Sequence, residues 1–319
     1  MTPAIEARNL TKRYGDLVAV DDLSFTVERG EVWGLLGPNG AGKSTAIRLV
    51  TGLTRATSGE VLVEGEPIRG RARGARNLVG YCPQEIVVWE HLTVLENLRF
   101  VAQMYGLPRG EAERRSLDLV VGLRLEEKAG ALAASLSGGM KRRLNLALAL
   151  VHDPSIVVLD EPSAGLDPQS RIVVHDFIQD LGRRDGKTVI LTTHEMDVAD
   201  RLAHRVAIID RGRLKVVDAP DRLKKTVGEG DTVVLRLRDP ARAEEAAGAA
   251  GAVAGVRGAL PVSRELHFHA LDAVNVVREV YAALDARGIE VEDASMRKNT
   301  LEDVFIALTG RALREEPAR

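Results

Sequence analysis

A single cysteine, Cys82, stands among 319 residues. That excludes an intrachain disulfide framework and any metal site built from several thiolates, and it fits a reducing compartment. No run of about 18 apolar residues occurs anywhere, so nothing reads as a membrane-spanning helix. The stretch from Met1 to Leu10 is interrupted by Glu6 and Arg8 and lacks the apolar core of a signal peptide. Any membrane process served by this chain therefore needs another polypeptide to supply the channel. An excess of one charge is missing too. The net charge is −2, which gives no global basic field for nucleic acid or an anionic bilayer. What is present is ordinary globular material, 45% hydrophobic and 28% charged, enough for a large core and two domains.

Short apolar runs alternate with helical patterns through the first two thirds, as in an α/β protein with a largely parallel sheet. Four runs stand out: Val32 to Leu36, Leu78 to Tyr81, Ile156 to Leu159 and Thr188 to Leu191. Each ends just before a chemically suggestive motif, and ligands of such sheets bind beyond the carboxyl ends of the strands. Period-2 segments at Ala4 to Leu10, Leu17 to Val20, Leu23 to Val27 and Glu60 to Glu64 predict an antiparallel layer. From about residue 91 to 150 helical spacing takes over, as in Leu92, Leu95, Leu98 and Val101, and predicts a helical insertion. Composition shifts after Asp218-Ala219-Pro220, placing a boundary near residue 222, with domains at 1–222 and 223–319. The tail reads as strand, helix, strand, strand, helix, strand and a closing helix from Leu301, an order compatible with a ferredoxin-like α+β unit.

Gly37-Pro38-Asn39-Gly40-Ala41-Gly42-Lys43-Ser44-Thr45 matches G-x-x-x-x-G-K-[ST] between a strand and a helix, the context a P-loop requires. Its glycines let consecutive amides curl round an anion at a helix N-terminus. Lys43 then meets the β/γ phosphates of ATP, and the Ser44 hydroxyl ligates Mg²⁺. Ile156 to Glu161 is a buried strand ending in two acids; Asp160 suits the Mg²⁺ shell, and Glu161 is the candidate general base. Alone, that pair would read as a solvated strand end. His194, beyond the fourth strand, is placed to meet the γ-phosphate; a lone histidine is more often structural, and only its company changes that. Ser137, Gly138 and Gly139 open a helical run as a second anion site, which in isolation would be an ordinary capped helix.

The order of these motifs resembles the ATP-binding domain of the ABC transporter family over residues 3 to 220: P-loop, Gln84, Leu136-Ser137-Gly138-Gly139, Asp160-Glu161, Ser163-Ala164-Gly165-Leu166-Asp167, then Thr193-His194. The resemblance implies that Tyr14 stacks on adenine, that Gln84 senses Mg²⁺ and couples to a membrane subunit, and that Asp167 acts across a dimer interface. It also implies that Ser137 and Gly139 bind the γ-phosphate held by the opposite subunit, so that two copies, or a copy and a related ATPase, close on two nucleotides. A separate permease would anchor them at the cytoplasmic face of the membrane. The signature departs from the family at Met140, where Gln is usual. Met140-Lys141-Arg142-Arg143-Leu144, with Leu301 to Phe305 and Thr309-Gly310-Arg311, resembles exporter ATPases of the drug-resistance (daunorubicin and antibiotic) type, and the tail is expected to stabilise or regulate the dimer. Alternatives are an import ATPase with a regulatory tail, or a soluble ATPase acting on DNA or the ribosome; no nucleic-acid partner is expected. Arg69, Arg71, Arg73 and Arg76 read as a solvated basic loop.

Overall fold

The computed structural model describes residues 2–68, 77–226 and 230–310. The basic cluster from Arg69 to Arg76, and Arg311, lie outside the described residues. The chain divides into two compact units, 1–217 and 218–319, five residues before the boundary expected from composition.

In the first unit, strands β1 (Ile5–Tyr14), β2 (Leu17–Val27), β4 (Ser58–Val63) and β5 (Glu66–Pro67) form an antiparallel sheet in the order β2-β1-β4-β5. A second sheet runs β10-β9-β3-β8-β7-β6. Its strands are β3 (Val32–Leu36), β6 (Val79–Cys82), β7 (Ile156–Asp160), β8 (Thr188–Thr193), β9 (Arg205–Asp210) and β10 (Arg213–Asp218). The pairings β6–β7, β7–β8, β8–β3 and β3–β9 are parallel.

Every residue of β3, β7 and β8 is buried, as expected of a parallel sheet covered on both faces. Alternation along each strand divides its side chains between two cores. Val157, Leu159, Val189 and Leu191 join the helices on one side. Ile156, Val158, Ile190 and Trp33 join the antiparallel sheet on the other, where Trp33 stacks on Phe25 at 4.5 Å. Each such side chain contributes roughly 1.5–3 kcal/mol by leaving water, so the ends of these strands are rigid platforms.

Among the described residues the α-helices of this unit include α1 (Lys43–Val50), α2 (Val94–Met104), α3 (Arg109–Gly122), α4 (Gly138–Leu150), α5 (Pro168–Arg183) and α6 (Met196–Leu202). The first of the insertion begins at a capping box, with Thr93 and Glu96 exchanging hydrogen bonds.

The second unit holds α7 (Pro220–Thr226), β11 (Asp231–Leu237), α8 (Ala243–Gly251), β12 (Arg257–Val262), β13 (Glu265–Ala270), α9 (Ala273–Asp285), β14 (Val291–Lys298) and α10 (Leu301–Thr309). Its sheet runs β12-β13-β11-β14 with antiparallel pairings. Val233, Leu235, Leu266 and Phe268 pack against Ala246, Ala250, Val280 and Leu284 of the covering helices.

Candidate functional site

Between β3 and α1 the chain turns through a loop that only glycine can make. Gly42 takes φ 103° as the helix N-cap, and a Cβ there would meet the Ala19 carbonyl oxygen at 2.4 Å. A Cβ on Gly37 would lie 2.4 Å from the Ile209 carbonyl oxygen. No side chain caps α1, which leaves its first amides pointing outward as anion donors.

Lys43 is 6% exposed. Its Nζ donates to the Gly37 carbonyl at 2.7 Å and the Pro38 carbonyl at 3.2 Å, and lies 3.4 Å from Glu161 Oε1. Burial pushes its pKa below the ordinary lysine value, and the carboxylates of Glu161 and Asp160 oppose the shift.

Glu161 follows β7 and is 5% exposed. Its φ is 49°, in the left-handed region that non-glycine residues avoid. The Glu161 N–H donates to Thr192 Oγ1 at 2.9 Å, and the Thr192 hydroxyl donates to Asp160 Oδ1 at 2.6 Å. The carboxylate ends up 2.9 Å (Oε2) from His194 Nδ1. Lysine, acid and histidine, which arrive from three strand ends, thus form one contiguous group.

They open onto a cleft of about 670 Å³ lined by Tyr14, the loop residues Pro38, Asn39, Gly40, Gly42, Lys43, Ser44 and Thr45, together with Gln84, Glu161 and His194. Tyr14 is 46% exposed, with Lys12 Nζ 4.8 Å from its ring centre. Leu17, Val18, Ala19, Arg211 and Gly212 also line the cleft. Sequence reasoning missed these five, since they carry no motif and reach the site from a hairpin end and a turn.

Ser137, Gly138, Gly139 and Asp167 do not line this cleft. They form a neighbourhood of their own. Ser137 Oγ accepts from Met140 N at 3.2 Å and caps α4, and Asp167 Oδ1 accepts from Ser170 N at 2.9 Å and caps α5. A Cβ on Gly139 would sit 3.0 Å from Asp167 Oδ2, so the second anion site and the expected interface acid are adjacent. Hydrogen bonding to Ser170 holds the Asp167 carboxyl below its usual pKa.

The oxygen donors near the cleft, the Ser44 hydroxyl, the Gln84 amide and the Asp160 carboxylate, suit Mg²⁺, a hard cation that takes few protein ligands and keeps phosphate oxygens and waters for the rest. Among the described residues no cluster of three or more His, Cys, Asp or Glu side chains offers an all-protein cage. The donor set therefore fits a cation bound together with nucleotide. Cys82 is buried, and burial pushes its thiol up to about 11, in keeping with a structural role.

A second groove of about 510 Å³ is lined by Leu53, Tyr81, Pro83, Val87, Trp89, Val101 and Tyr105, among others. It is markedly apolar for a surface feature, with Leu53 62%, Val87 53% and Trp89 40% exposed. Among the described residues no helix is long and apolar enough to cross a membrane.

Residues 20–164 match the ABC transporter family. A Nod factor export ATP-binding protein I of Burkholderia thailandensis is 41% identical over 312 residues, covering 98% of each chain. Among solved structures, a dimeric bacterial ABC transporter cassette aligns with a TM-score of 0.63 and 27% identity over 67% of this chain and 98% of that one. The cbiO1 protein of Clostridium perfringens, described as part of the ABC transporter complex cbiONQ, aligns at 0.65 and 27% identity over 71% and 94%. With a P-loop cleft that gathers lysine, acid and histidine at three strand ends, and with full-length relatives of this identity, the chain belongs to the ABC transporter family as one of its ATP-binding ATPase subunits.

Proposed function

We propose that the chain binds Mg-ATP in the P-loop cleft, hydrolyses it as a dimer, and thereby powers export through a separate membrane permease. The observation that carries the catalytic part is the single carboxylate of Glu161 held between Lys43 and His194. Phosphoryl transfer asks a protein for positioning and charge more than for covalent chemistry. Tyr14 stacks on the base, the amides of residues 37–45 cradle the phosphates, and Lys43 exchanges its carbonyl partners for phosphate oxygens. When bound, Mg²⁺ neutralises developing phosphate charge, held by Ser44, Gln84 and Asp160. Glu161 takes a proton from the attacking water. His194 donates its Nδ1–H to that carboxylate and orients it, with its ring facing the γ-phosphate.

Ser137, Gly138 and Gly139 with Asp167 serve the nucleotide of a second copy, since their helix N-terminus is open to solvent at Ser137 and Gly138 and is not part of the chain's own cleft lining. The apolar groove beside Gln84 is the permease docking face, and the chain sits at the cytoplasmic surface through it. Export is supported by the full-length likeness to a relative named for export. Its cargo class is a drug, antibiotic, lipid or similar compound. The second unit, whose strand order β12-β13-β11-β14 is that of a ferredoxin-like domain, regulates or stabilises the dimer.

Glu161→Gln tests the chemistry. The variant should bind ATP and accumulate as an ATP-loaded dimer with turnover lowered by about 100-fold or more; parental turnover would move the base to another residue. Substrate movement into inside-out vesicles containing the permease tests direction.

A further inference from the structure

Arg142, in α4, is 3% exposed, and no carboxylate neutralises it among the described residues. All five N–H bonds of its guanidinium are nonetheless used, each on a main-chain carbonyl. Nε donates to Pro162 at 3.0 Å. Nη1 donates to Pro83 at 2.8 Å and Gln84 at 2.7 Å, and Nη2 to Asp160 at 2.8 Å and Glu161 at 2.5 Å. One planar cation therefore bridges the segment after β6, which carries Gln84, and the segment after β7, which carries Glu161. Lysine cannot reproduce this, since its three donors radiate from one point instead of spreading across a planar fork.

Removing the group would leave five main-chain carbonyls without a donor and cost stability, but a purely stabilising role would let those bonds fall anywhere in the main chain. The bonds fall instead where the main chain is strained. Glu161 keeps φ 49°, a conformation that survives only when its surroundings over-determine it. Its N–H is held by Thr192 and its carbonyl by Arg142, and the carboxylate is thereby aimed at Lys43 and His194.

We propose that Arg142 is a positioning residue for ATP hydrolysis: it locks Glu161 in its left-handed main-chain conformation and ties that lock to the seating of Pro83 and Gln84. The proposal rests on the reading of Glu161 as general base. Pro83 lines the apolar groove and Gln84 the nucleotide cleft. A shift of this segment in the groove is thus transmitted to the base through one guanidinium.

The test uses the full chain, with MgATP turnover, the KM for ATP and the melting temperature measured together. Arg142→Lys should lower kcat by about 100-fold, the loss expected when a reacting group is misplaced by about 1 Å, while KM stays near the parental value. Thr192→Val, which frees the Glu161 N–H and also removes the hydroxyl bond to Asp160, should lower kcat in the same way and provides a second variant should an Arg142 substitution fold poorly. Millimolar guanidinium, far below denaturing concentrations, should restore part of the kcat of Arg142→Ala. In a Glu161→Gln background Arg142→Lys should cause no further loss, since both act through one group. A lowered melting temperature with unchanged kcat would overturn the proposal and leave Arg142 a staple of the fold. If Glu161→Gln itself turns over at the parental rate, the general-base reading fails, separately from the behaviour of Arg142.

Discussion

Within the cleft Lys43 and Glu161 are buried charged side chains, whereas Tyr14 and His194 are exposed. Lys43 is desolvated and only partly compensated by Glu161 and Asp160, so it is primed to accept a phosphate as a further anionic partner. Two histidines outside the site report the same physics as a pH dependence. His175 is 4% exposed and its Nε2 has no partner; burial, aided by Arg201 and Arg171, pushes it down to about 4. Burial likewise pushes His152 down to about 4. Both folded values lie below the unfolded value of about 6.5, so between these limits the unfolded chain binds more protons. Stability should therefore hold above pH 6.5 and fall as pH drops toward 4. Melting temperatures at pH 7.5, 6 and 5 would show this, and His152→Leu combined with His175→Leu should flatten the decline; an unaltered slope would assign it to other groups.

Single residues were legible in the sequence where a spacing rule isolates them. Lys43, Glu161 and His194 meet as expected because each is pinned to a strand end. Arg142 was not legible, because the sequence marks Met140 to Leu144 only as an exporter-like string and three consecutive basic residues do not say which of them turns inward. Only the packing of α4 reveals that Arg142 and Arg143 are turned inward, the latter onto the Leu123 and Arg124 carbonyls.

At the scale of elements, apolar runs succeed and polar interruptions mislead. The segments Leu17 to Val20 and Leu23 to Val27 form one strand, Leu17–Val27, because Asp22 absorbs the polar break by adopting φ 52°. The last strand runs the full length of Val291–Lys298, since pairing with Asp231–Leu237 overrides the weak strand preference of its charged residues. Strand β9 carries no motif and was not singled out, yet it lies beside β3 at the P-loop. Tight element contacts give a direct prediction. A Cβ on Gly80 of β6 would meet the Ala149 carbonyl oxygen at 2.1 Å and Pro154 Cγ at 2.7 Å. Gly80→Ala should destabilise the chain by about 1–3 kcal/mol, seen as a lower urea midpoint with unchanged slope. Turnover should fall with it, because β6 leads into Gln84.

At the scale of the molecule, the decisive feature is that the P-loop and the helix N-terminus at Ser137, Gly138 and Gly139 do not share a cleft lining. If the second serves a partner's nucleotide, a change there can spare the monomer and abolish the assembly. Gly138 permits this separation, since an added Cβ meets nothing within 4 Å. Gly138→Asp should change stability by no more than about 0.5 kcal/mol, yet repel phosphate and abolish ATP-dependent association of the Glu161→Gln chain, as followed by analytical ultracentrifugation. Undiminished association would assign the signature helix another role.

The sequence by itself determined the P-loop, the paired acids, the parallel-sheet core and the presence of a separate tail, because these are written in short spacings and in the period of apolar residues. Tertiary structure alone decided that Arg142 faces five carbonyls, that Thr192 anchors Glu161, and that Arg211 and Ala19 border the nucleotide cleft. Those contacts join residues tens to nearly two hundred positions apart, and local periodicity carries no information about which distant main chain a side chain will meet.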